Sequence, residues 1–503
     1  MFCIILLFTK SRLVTTTTIS GFAGHPILDQ FPSPSTLQSP SFDQQTTPLA
    51  LQGPSLDQRP SPFTLPPLEL IDMPPLVLRH FLGEALDWTG PPCQATEFQF
   101  EWSSTAATHN WSILEQYGLN FQQALEAQPI SAVTPGSEFR PVSKLAHFLS
   151  EHPLWPNCSR WLTTGVEFPL APLSEEDRMQ DLEATLARGN HKTADKWKAE
   201  IEQALKKEVQ RGWQLPLPKA AAQLLPGAII APVGMAEQET IDDQGNIVDK
   251  LRLLHDQSYN PICGTKRSVN DRVNQSALTP CMFGRALMRY IHFIVALRLA
   301  FPNEKILQTK IDCKSAYCRL HHHWSAALQA CIVFGSLLLM SLRLTFGGAP
   351  NPSRWSDVSE LICDLANDLV RHPGYDPQTD VSPHQDKLPV DPILEDDTVA
   401  FASAIPLAVN VPMDSKPKFD CYIDDIFGAM LLRDLKLGAG IVPFVLHLFG
   451  RPRNPTDALP RDDLLSLEKF LAETTPSELK IILGWLLDTR RLLISLPKQK
   501  FVG

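Results

Sequence analysis

The chain has 503 residues, of which 44% are hydrophobic, and its 45 Lys and Arg against 55 Asp and Glu give a formal net charge of −10. The length allows a large core and predicts two to four domains. The acidic balance argues against a protein that binds polyanions over its whole surface. Residues 171–345 alone lean basic, with 22 Lys and Arg against 18 Asp and Glu.

The cysteines and the apolar segments indicate the compartment. The ten cysteines show no CxxC spacing and too low a density for a secreted disulfide scaffold, which indicates a reducing environment and no structural zinc. The first residues, MFCIILLF, form a run too short to span a bilayer, with no basic region before it. We therefore expect an intracellular protein, cytoplasmic or nuclear or both, with no signal peptide and no membrane partner.

The N-terminal part divides into two regions by composition. Residues 1–95 are rich in Pro, Ser, Gln and Thr and have little hydrophobic periodicity, which predicts a disordered leader. Residues 96–173 contain scattered Trp and Phe without a pattern that assigns a fold, so they form an unassigned accessory region. Residues 174–503 contain a continuous series of predicted elements.

The predicted elements after residue 173 alternate between helices and antiparallel strands, as in an α+β fold. Ser174 followed by three acids is typical of a capping box, which opens the first helix. In chain order the elements are helices over 175–188 and 193–211, a hairpin over 227–258, a helix over 285–300, a strand over 305–311 that ends at Asp312, a helix over 352–371, a hairpin around 421–428, helices over 440–449 and 463–473, and a strand pair over 483–497.

Two adjacent carboxylates lie inside the apolar run CYIDDIFGAM, residues 421–430. An Asp pair repels itself and resists burial, so it normally occupies a solvated turn. Asp424 and Asp425 instead have aromatic and β-branched neighbours on both sides, which predicts a hairpin with the acids at its tip. Such a pair requires a cation, and a divalent metal ion would neutralise it.

A third acid, Asp312 in KIDCKSAY, ends a predicted strand and could face the hairpin acids across a sheet. By itself Asp312 would be assigned a structural or capping role. Together with Asp424 and Asp425 it completes a set of three carboxylates, which can hold two Mg²⁺ ions about 3.5–4 Å apart during phosphoryl transfer. Mn²⁺ is the alternative ion.

These motifs together resemble the reverse transcriptase family of retroelements. YIDD, residues 422–425, is similar to the family's Tyr-x-Asp-Asp motif, and Asp312 is similar to its first catalytic aspartate. Tyr317 falls where the family places an aromatic gate that excludes a ribose 2′-hydroxyl. The resemblance covers residues 175–503 and keeps the family order of motifs.

Two further motifs resemble the family's substrate-binding segments. LTFGGAPNPSRW is similar to the loop that leads into a helix, in which Phe346, Gly347 and Gly348 would approach the nascent base pair. LRLLHDQS and KRSVND resemble the finger segment, in which Arg252 and Lys250 would hold the incoming triphosphate.

The last motif, ILGWLLDTRRLLISLPKQK, is similar to the hairpin that grips the primer end, with Leu483, Gly484 and Trp485 at its turn. This hairpin occupies residues 480–503. Residues 372–418 are rich in Pro and Asp and form an insertion relative to the family. From the residues alone, Trp485 has a second interpretation as a core side chain.

The resemblance implies the fingers and palm of a right-hand polymerase, with an antiparallel palm sheet backed by helices. The implied activity is that of a retrotransposon's RNA-directed DNA polymerase, in which a primer 3′-hydroxyl attacks the α-phosphorus of a dNTP on an RNA or DNA template. No thumb or ribonuclease H motif is visible in the sequence. The implied partners therefore include a separate chain that supplies ribonuclease H, integrase or recombinase functions.

Two alternatives stay open at this stage. The chain could be a catalytically inactive retroelement remnant that at most binds nucleic acid, which the acidic balance favours. The triplet His321 to His323 could suggest a metal site, but contiguous imidazoles cannot easily point to one ion, so we expect a solvated turn there.

Overall fold

The computed structural model describes residues 69–241, 247–281, 283–389, 391–396, 401–402 and 414–497. All of them belong to one compact unit, Pro60–Gly503. Residues 1–68 of the predicted leader and the Asp-Asp-Gln-Gly turn at 242–245 lie outside the described residues, as do 403–413 of the predicted insertion.

The helices of the described residues are mostly short, and a side-chain cap begins some of them. Ser174 caps α6 through a hydrogen bond that its hydroxyl accepts from the amide of Asp177, and Gly189 at φ +75° ends the helix. The helices are α1 Pro75–Leu86, α2 Ser104–Gln116, α3 Phe121–Glu126, α4 Val142–Leu149, α5 Trp155–Thr164, α6 Glu175–Arg188, α7 Lys192–Lys196, α8 Lys198–Gln210, α9 Ala221–Leu224, α10 Ala286–Ala300, α11 Trp324–Leu328, α12 Asn351–Leu369, α13 Leu435–Phe449 and α14 Leu467–Glu473.

The strands form four small antiparallel sheets among the described residues, with strand orders β1-β6-β5, β2-β3, β4-β8-β7 and β9-β10-β11. The fold is therefore a mixture of helices and antiparallel sheets, as the sequence predicts. The strands are β1 Gln214–Pro218, β2 Val233–Ile241, β3 Ile247–His255, β4 Ile306–Asp312, β5 Cys331–Phe334, β6 Leu337–Ser341, β7 Lys418–Tyr422, β8 Asp425–Leu431, β9 Leu479–Ile482, β10 Trp485–Asp488 and β11 Leu493–Ser495.

The sheet β4-β8-β7 is covered on both faces, so even polar residues in mid-strand are buried: Gln308 and Thr309 of β4 are 0% and 1% exposed. Ile426 packs in the core that contains helices α12 and α13, and its neighbour Phe427 packs against Tyr290 of α10 with ring centroids 5.0 Å apart. Successive residues of a strand point to opposite faces, so the adjacent residues Ile426 and Phe427 enter different cores.

The N-terminal boundaries predicted from the sequence need correction. Part of the predicted disordered leader forms α1, whose Leu78, Leu82 and Ala85 are at most 1% exposed in the same core as α12. The accessory region 96–173 contributes α2 to α5 and belongs to the same compact unit. The Pro-, Ser- and Gln-rich average of residues 1–95 masks α1, although Leu76, Leu78 and Leu82 lie close together within it.

One helix prediction was wrong in extent. The predicted helix over 193–211 breaks at Trp197, whose φ of −112° and ψ of +36° separate α7 from α8. None of the helices in the described part of the chain combines the length and the hydropathy that a membrane span requires.

Candidate active site

The sheet β4-β8-β7 brings the three predicted carboxylates together at one end. Asp312, the last residue of β4, is the Cα partner of Asp425, the first residue of β8. Asp425 also pairs with Tyr422, so Asp424 lies in the two-residue turn between β7 and β8. The amide of Cys313 donates to the carbonyl of Asp424 at 3.0 Å and ties the turn to β4.

Two lysines that the sequence analysis did not identify contact these acids. Lys469 of α14 places Nζ 2.5 Å from Oδ1 of Asp312, across 157 positions of sequence. Lys310 of β4 places Nζ 3.3 Å from Asp425 and 3.1 Å from Glu473. The site therefore combines clustered negative charge with amines that partly neutralise it.

Burial opposes ionisation of the acids. Burial raises the pKa of Asp312 to about 6, and the charges of Asp424 and Asp425 add to this, against the contribution of Lys469. Burial also raises the pKa of Asp425, together with the charge of Asp424, while Lys310 opposes the change. The site stabilises added positive charge, because each further cation would lower these pKa values.

Whereas burial favours the neutral form of the acids, the surroundings of Lys469 favour its charged form. Burial alone would lower the pKa of Lys469, but its hydrogen bond to Asp312 and the charges of the three acids together raise it. Lys469 is therefore held as a cation at neutral pH. Within the described residues, no three His, Cys, Asp or Glu side chains converge on a point at which one metal ion could bind. The amines occupy the neighbourhood of the carboxylates instead.

The donor set itself fits Mg²⁺ or Mn²⁺. The three side chains offer carboxylate oxygens, which are the ligands that these hard cations prefer. Binding to Asp312 would require Lys469 to move away from Oδ1, because the amine lies at hydrogen-bond distance from it.

Strand β3 brings two of the predicted triphosphate ligands to the same end of the sheet. Burial lowers the pKa of Lys250, and the charges of Lys469 and Arg252 lower it further, whereas Asp312 and Asp424 oppose this. The Nε of Arg252 is buried and has no hydrogen-bond partner among the described residues. The positive charges of Lys469 and Arg252 act on Lys250 near the acids, and an anion bound among them would relieve this repulsion.

The predicted aromatic gate is a pair of rings. Tyr317 is 9% exposed and lies 5.1 Å from the Phe346 ring, which is 46% exposed. The guanidinium of Arg252 lies 5.5 Å from the Phe346 centroid. Burial raises the pKa of Tyr317, and the charge of Asp424 raises it further. The structure therefore brings Tyr317, Phe346 and Arg252 together near the hairpin acids.

The loop after Phe346 requires its glycines. Gly347 has φ +120°, and a Cβ there would lie 1.9 Å from the carbonyl oxygen of His255. The side chain of Asn270, in the KRSVND motif, donates to the carbonyl of Gly347 and accepts from the amide of Ala349, both at 2.7 Å. Gly348 also lies against polar side chains, with a Cβ position 2.7 Å from Asn351 Nδ2. Asn270 is a loop-positioning residue that the sequence analysis missed.

The turn that carries the acids is held by helix α12. Ile423 has φ +59°, which a β-branched residue rarely adopts. Its carbonyl accepts a hydrogen bond from Trp355 Nε1 at 3.0 Å and from Ser359 Oγ at 2.5 Å. The sequence gives no signal for these bonds beyond the helical spacing of the two residues on one face of α12.

The predicted primer-grip residues lie on the separate sheet β9-β10-β11. Leu483 and Gly484 form the turn between β9 and β10, both with positive φ, as in a tight hairpin. Trp485 is 40% exposed, so its interpretation as a core side chain was wrong. The sheet joins β4 through the pairing of Gln308 with Ser477.

The histidine triplet is not the solvated turn that the sequence suggests. His321 and His322 are 2% and 4% exposed, and burial lowers the pKa of His322 to about 4. The ring of His321 lies 3.0 Å from the carbonyl of Ala132, and that of His322 lies 2.8 Å from the carbonyl of Ser341. The rings of His321 and His322 are structural, because the partners that the described residues offer them are backbone carbonyls and not acids.

No family model matches the chain, and no curated protein matches it. Solved structures similar to it include foamy viral protease-reverse transcriptase bound to double-stranded DNA, with 12% identity, a TM-score of 0.32 and coverage of 88% of this chain and 50% of that one. For the same kind of protein bound to an RNA/DNA hybrid, the identity is 11%, the TM-score is 0.33, and the match covers 88% of this chain and 38% of that one. For the native protease-reverse transcriptase of Prototype Foamy Virus, the identity is 13%, the TM-score is 0.31, and the match covers 88% of this chain and 38% of that one. The chain spans half or less of each, and the likeness is remote.

Proposed function

We propose that the chain is an RNA-directed DNA polymerase of a retrotransposon, which extends a primer 3′-hydroxyl with dNTPs on an RNA or DNA template. The observation that carries the proposal is the register of Asp312 with Asp425 beside the turn that holds Asp424. This arrangement brings three carboxylates, which are hard oxygen ligands, to one end of the sheet near the cations of β3. The resemblance of the motifs supports the same reaction, with the sheet β4-β8-β7 as its palm.

The chain's own residues would perform the positioning. Lys250 and Arg252 would bind the triphosphate, which would relieve their mutual repulsion and satisfy the buried Nε of Arg252. Tyr317 would pack against the sugar and exclude a 2′-hydroxyl, with Phe346 as its support. Leu483, Gly484 and Trp485 would contact the primer strand.

The metal ligands would be Asp312, Asp424 and Asp425. Bound Mg²⁺ or Mn²⁺ would supply the positive charge that activates the attacking hydroxyl and stabilises the leaving pyrophosphate. Lys469 would leave Asp312 as the ions enter and stay close enough to meet the phosphates. Positioning and charge neutralisation provide most of the rate enhancement in such reactions.

Primer extension by the purified chain tests the proposal. Asp424→Asn removes one charge with hardly any change in volume, so extension should be lost while the fold is kept. Asp391→Asn, at an exposed loop carboxylate, serves as the matched control and should extend normally. Extension by Asp424→Asn at the rate of the unaltered chain would remove Asp424 from the mechanism.

A second function is favoured by one observation. Lys469 and Lys310 already neutralise two of the acids, and the described acids do not form a ready metal site. A chain of this kind could bind nucleic acid as a catalytically inactive remnant. Binding of primer-template without extension in either Mg²⁺ or Mn²⁺, by a chain shown to be folded, would establish this alternative.

A further inference from the structure

A buried arginine far from the candidate active site in sequence has no acidic partner. Arg140 is 1% exposed, and among the described residues no carboxylate forms an ion pair with it. Its Nη1 donates to the carbonyl of Trp88 at 2.7 Å, and its Nη2 lies 3.5 Å from the carbonyl of His447. Its Nε has no hydrogen-bond partner in the described part of the chain. A guanidinium has five N–H donors, so most of them remain unused.

The charge of Arg140 is poorly compensated. Burial lowers the pKa of its guanidinium to about 10, and no neighbouring acid counteracts this. The carbonyl of His447 belongs to the last turn of α13, whose C-terminus carries only about half a negative charge. Burying an arginine in this way is costly unless an anion accompanies it.

A cavity of about 130 Å³ lies beside this arginine. A single water needs only about 10–15 Å³, so the space admits a larger group. The described residues around it include no Asp or Glu, and their only charged side chains are Arg140 and Arg451. Arg451 lies over the Trp88 ring at 5.3 Å and donates to the carbonyl of Pro91. No ion pair of Arg451 is present among the described residues.

We propose that this cavity binds one phosphate group, held by the guanidinium groups of Arg140 and Arg451. Paired arginines present planar sets of N–H donors that match phosphate oxygens. The partly exposed Arg451 gives access from solvent, while the buried Arg140 provides a charge that the fold alone leaves unneutralised. The site is independent of polymerase activity and would persist in an inactive chain.

Thermal unfolding of the full chain in phosphate and in chloride at equal ionic strength tests the site. Phosphate should raise the melting temperature with increasing concentration, because a ligand of the folded state stabilises it by mass action. Arg451→Gln should abolish the rise. Arg453→Gln is the matched control, since Arg453 is an exposed neighbour that pairs with Asp463 at 3.2 Å, and it should keep the rise. Equal melting temperatures in both salts, or a rise retained by Arg451→Gln, would overturn the proposal.

Arg140→Met separates a ligand site from a helix-capping role. If Arg140 exists to bind phosphate, its replacement should leave the melting temperature in chloride unchanged or higher, and phosphate should have no effect. A lower melting temperature together with a normal response to phosphate would show that Arg140 only caps α13, which overturns the site. If this variant does not fold, the Arg451→Gln result decides.

Fluorescence anisotropy with short labelled RNA and DNA strands identifies the source of the phosphate. If the site takes a phosphodiester of nucleic acid, Arg451→Gln should weaken strand binding about tenfold, the effect of one lost charge-assisted hydrogen bond. Inorganic phosphate should then compete with the strand. Unchanged strand binding, with the thermal response to phosphate lost, would support a site for free phosphate.

Discussion

The indole N–H of Trp355 donates to the backbone carbonyl of Ile423 across 3.0 Å, and thereby joins helix α12 to the turn that carries the carboxylate pair. Ser359, one helical turn later, meets the same oxygen. Trp355 and Ser359 are both 0% exposed, so no water competes for these bonds. A left-handed conformation at a β-branched residue persists only where its surroundings enforce it.

Removing both hydrogen-bond donors should lower the free energy of unfolding by more than the sum of the two single removals. Trp355→Phe or Ser359→Ala leaves the Ile423 carbonyl one donor, and each change should cost about 1 kcal/mol from the lost bond, to which Trp355→Phe adds the cost of the space left by the smaller ring. The double variant leaves a buried carbonyl without a partner, which adds a further penalty. Urea unfolding of all four proteins measures the difference.

Ser353→Ala is the control for this series, because Ser353 lies on the same helix and its hydroxyl donates to Thr279 instead. In the double variant with Trp355→Phe, the two losses in the free energy of unfolding should add. If the losses in the free energy of unfolding for Trp355→Phe and Ser359→Ala simply add, the stability of the turn does not depend on the Ile423 carbonyl that both residues contact.

Lys469 should compete with divalent metal for Asp312, because Nζ lies 2.5 Å from the carboxylate oxygen. In Lys469→Met, Mg²⁺ should raise the melting temperature at a lower concentration than in the unaltered chain. Lys206→Met removes a lysine that pairs with Glu202 on the exposed face of α8, and it should leave the metal response unchanged. Weaker metal stabilisation in Lys469→Met would mean that the amine supports the metal site.

The sequence predicts the hairpin acids well because the signal is local. Asp424 and Asp425 interrupt an apolar run, and the pairing of Tyr422 with Asp425 places them where β7 turns into β8. Lys469 could not be predicted in the same way, since 157 positions separate it from Asp312. A lysine in a short amphipathic helix is most often a solvated residue.

The buried polar residues escaped prediction for a related reason. His321 and His322 lie in a polar-looking triplet, but tertiary contacts bury both rings against backbone carbonyls. The helix α1 shows the reverse case, because its Pro-rich surroundings suggest disorder while Leu78 and Leu82 pack into the core. Composition describes an average, and a few well-placed apolar residues are enough to fold a segment.

Glu360 should make the stability of the fold depend on pH. It is 7% exposed on α12, and Arg289, which lies 3.7 Å away, already binds Asp420 at 2.7 and 2.5 Å. Burial raises the pKa of Glu360 from 4.5 to about 8, and the charges of Asp364 and Asp420 contribute. The folded state therefore binds this proton more tightly than the unfolded chain does, so stability falls as pH rises between these two values.

Glu360→Gln removes that dependence. The melting temperature of the variant minus that of the unaltered chain should increase from about pH 4.5 to about pH 8 and then level off. For Glu200→Gln, at an exposed position of α8, the difference in melting temperature from the unaltered chain should not change with pH over the same range. A flat difference for Glu360→Gln would show that Arg289 keeps Glu360 ionised in the folded state.

Tyr317 should select the sugar of the incoming nucleotide through its ring and not through its hydroxyl. The ring packs against Phe346 at 5.1 Å and is 9% exposed, so its position is fixed by packing. Tyr317→Ala should raise the incorporation of rNTP relative to dNTP, because it removes the atoms with which a 2′-hydroxyl would collide. Tyr317→Phe keeps the ring and should discriminate like the unaltered chain. Competing-substrate primer extension measures both, and equal discrimination by the alanine variant would assign Tyr317 to the core alone.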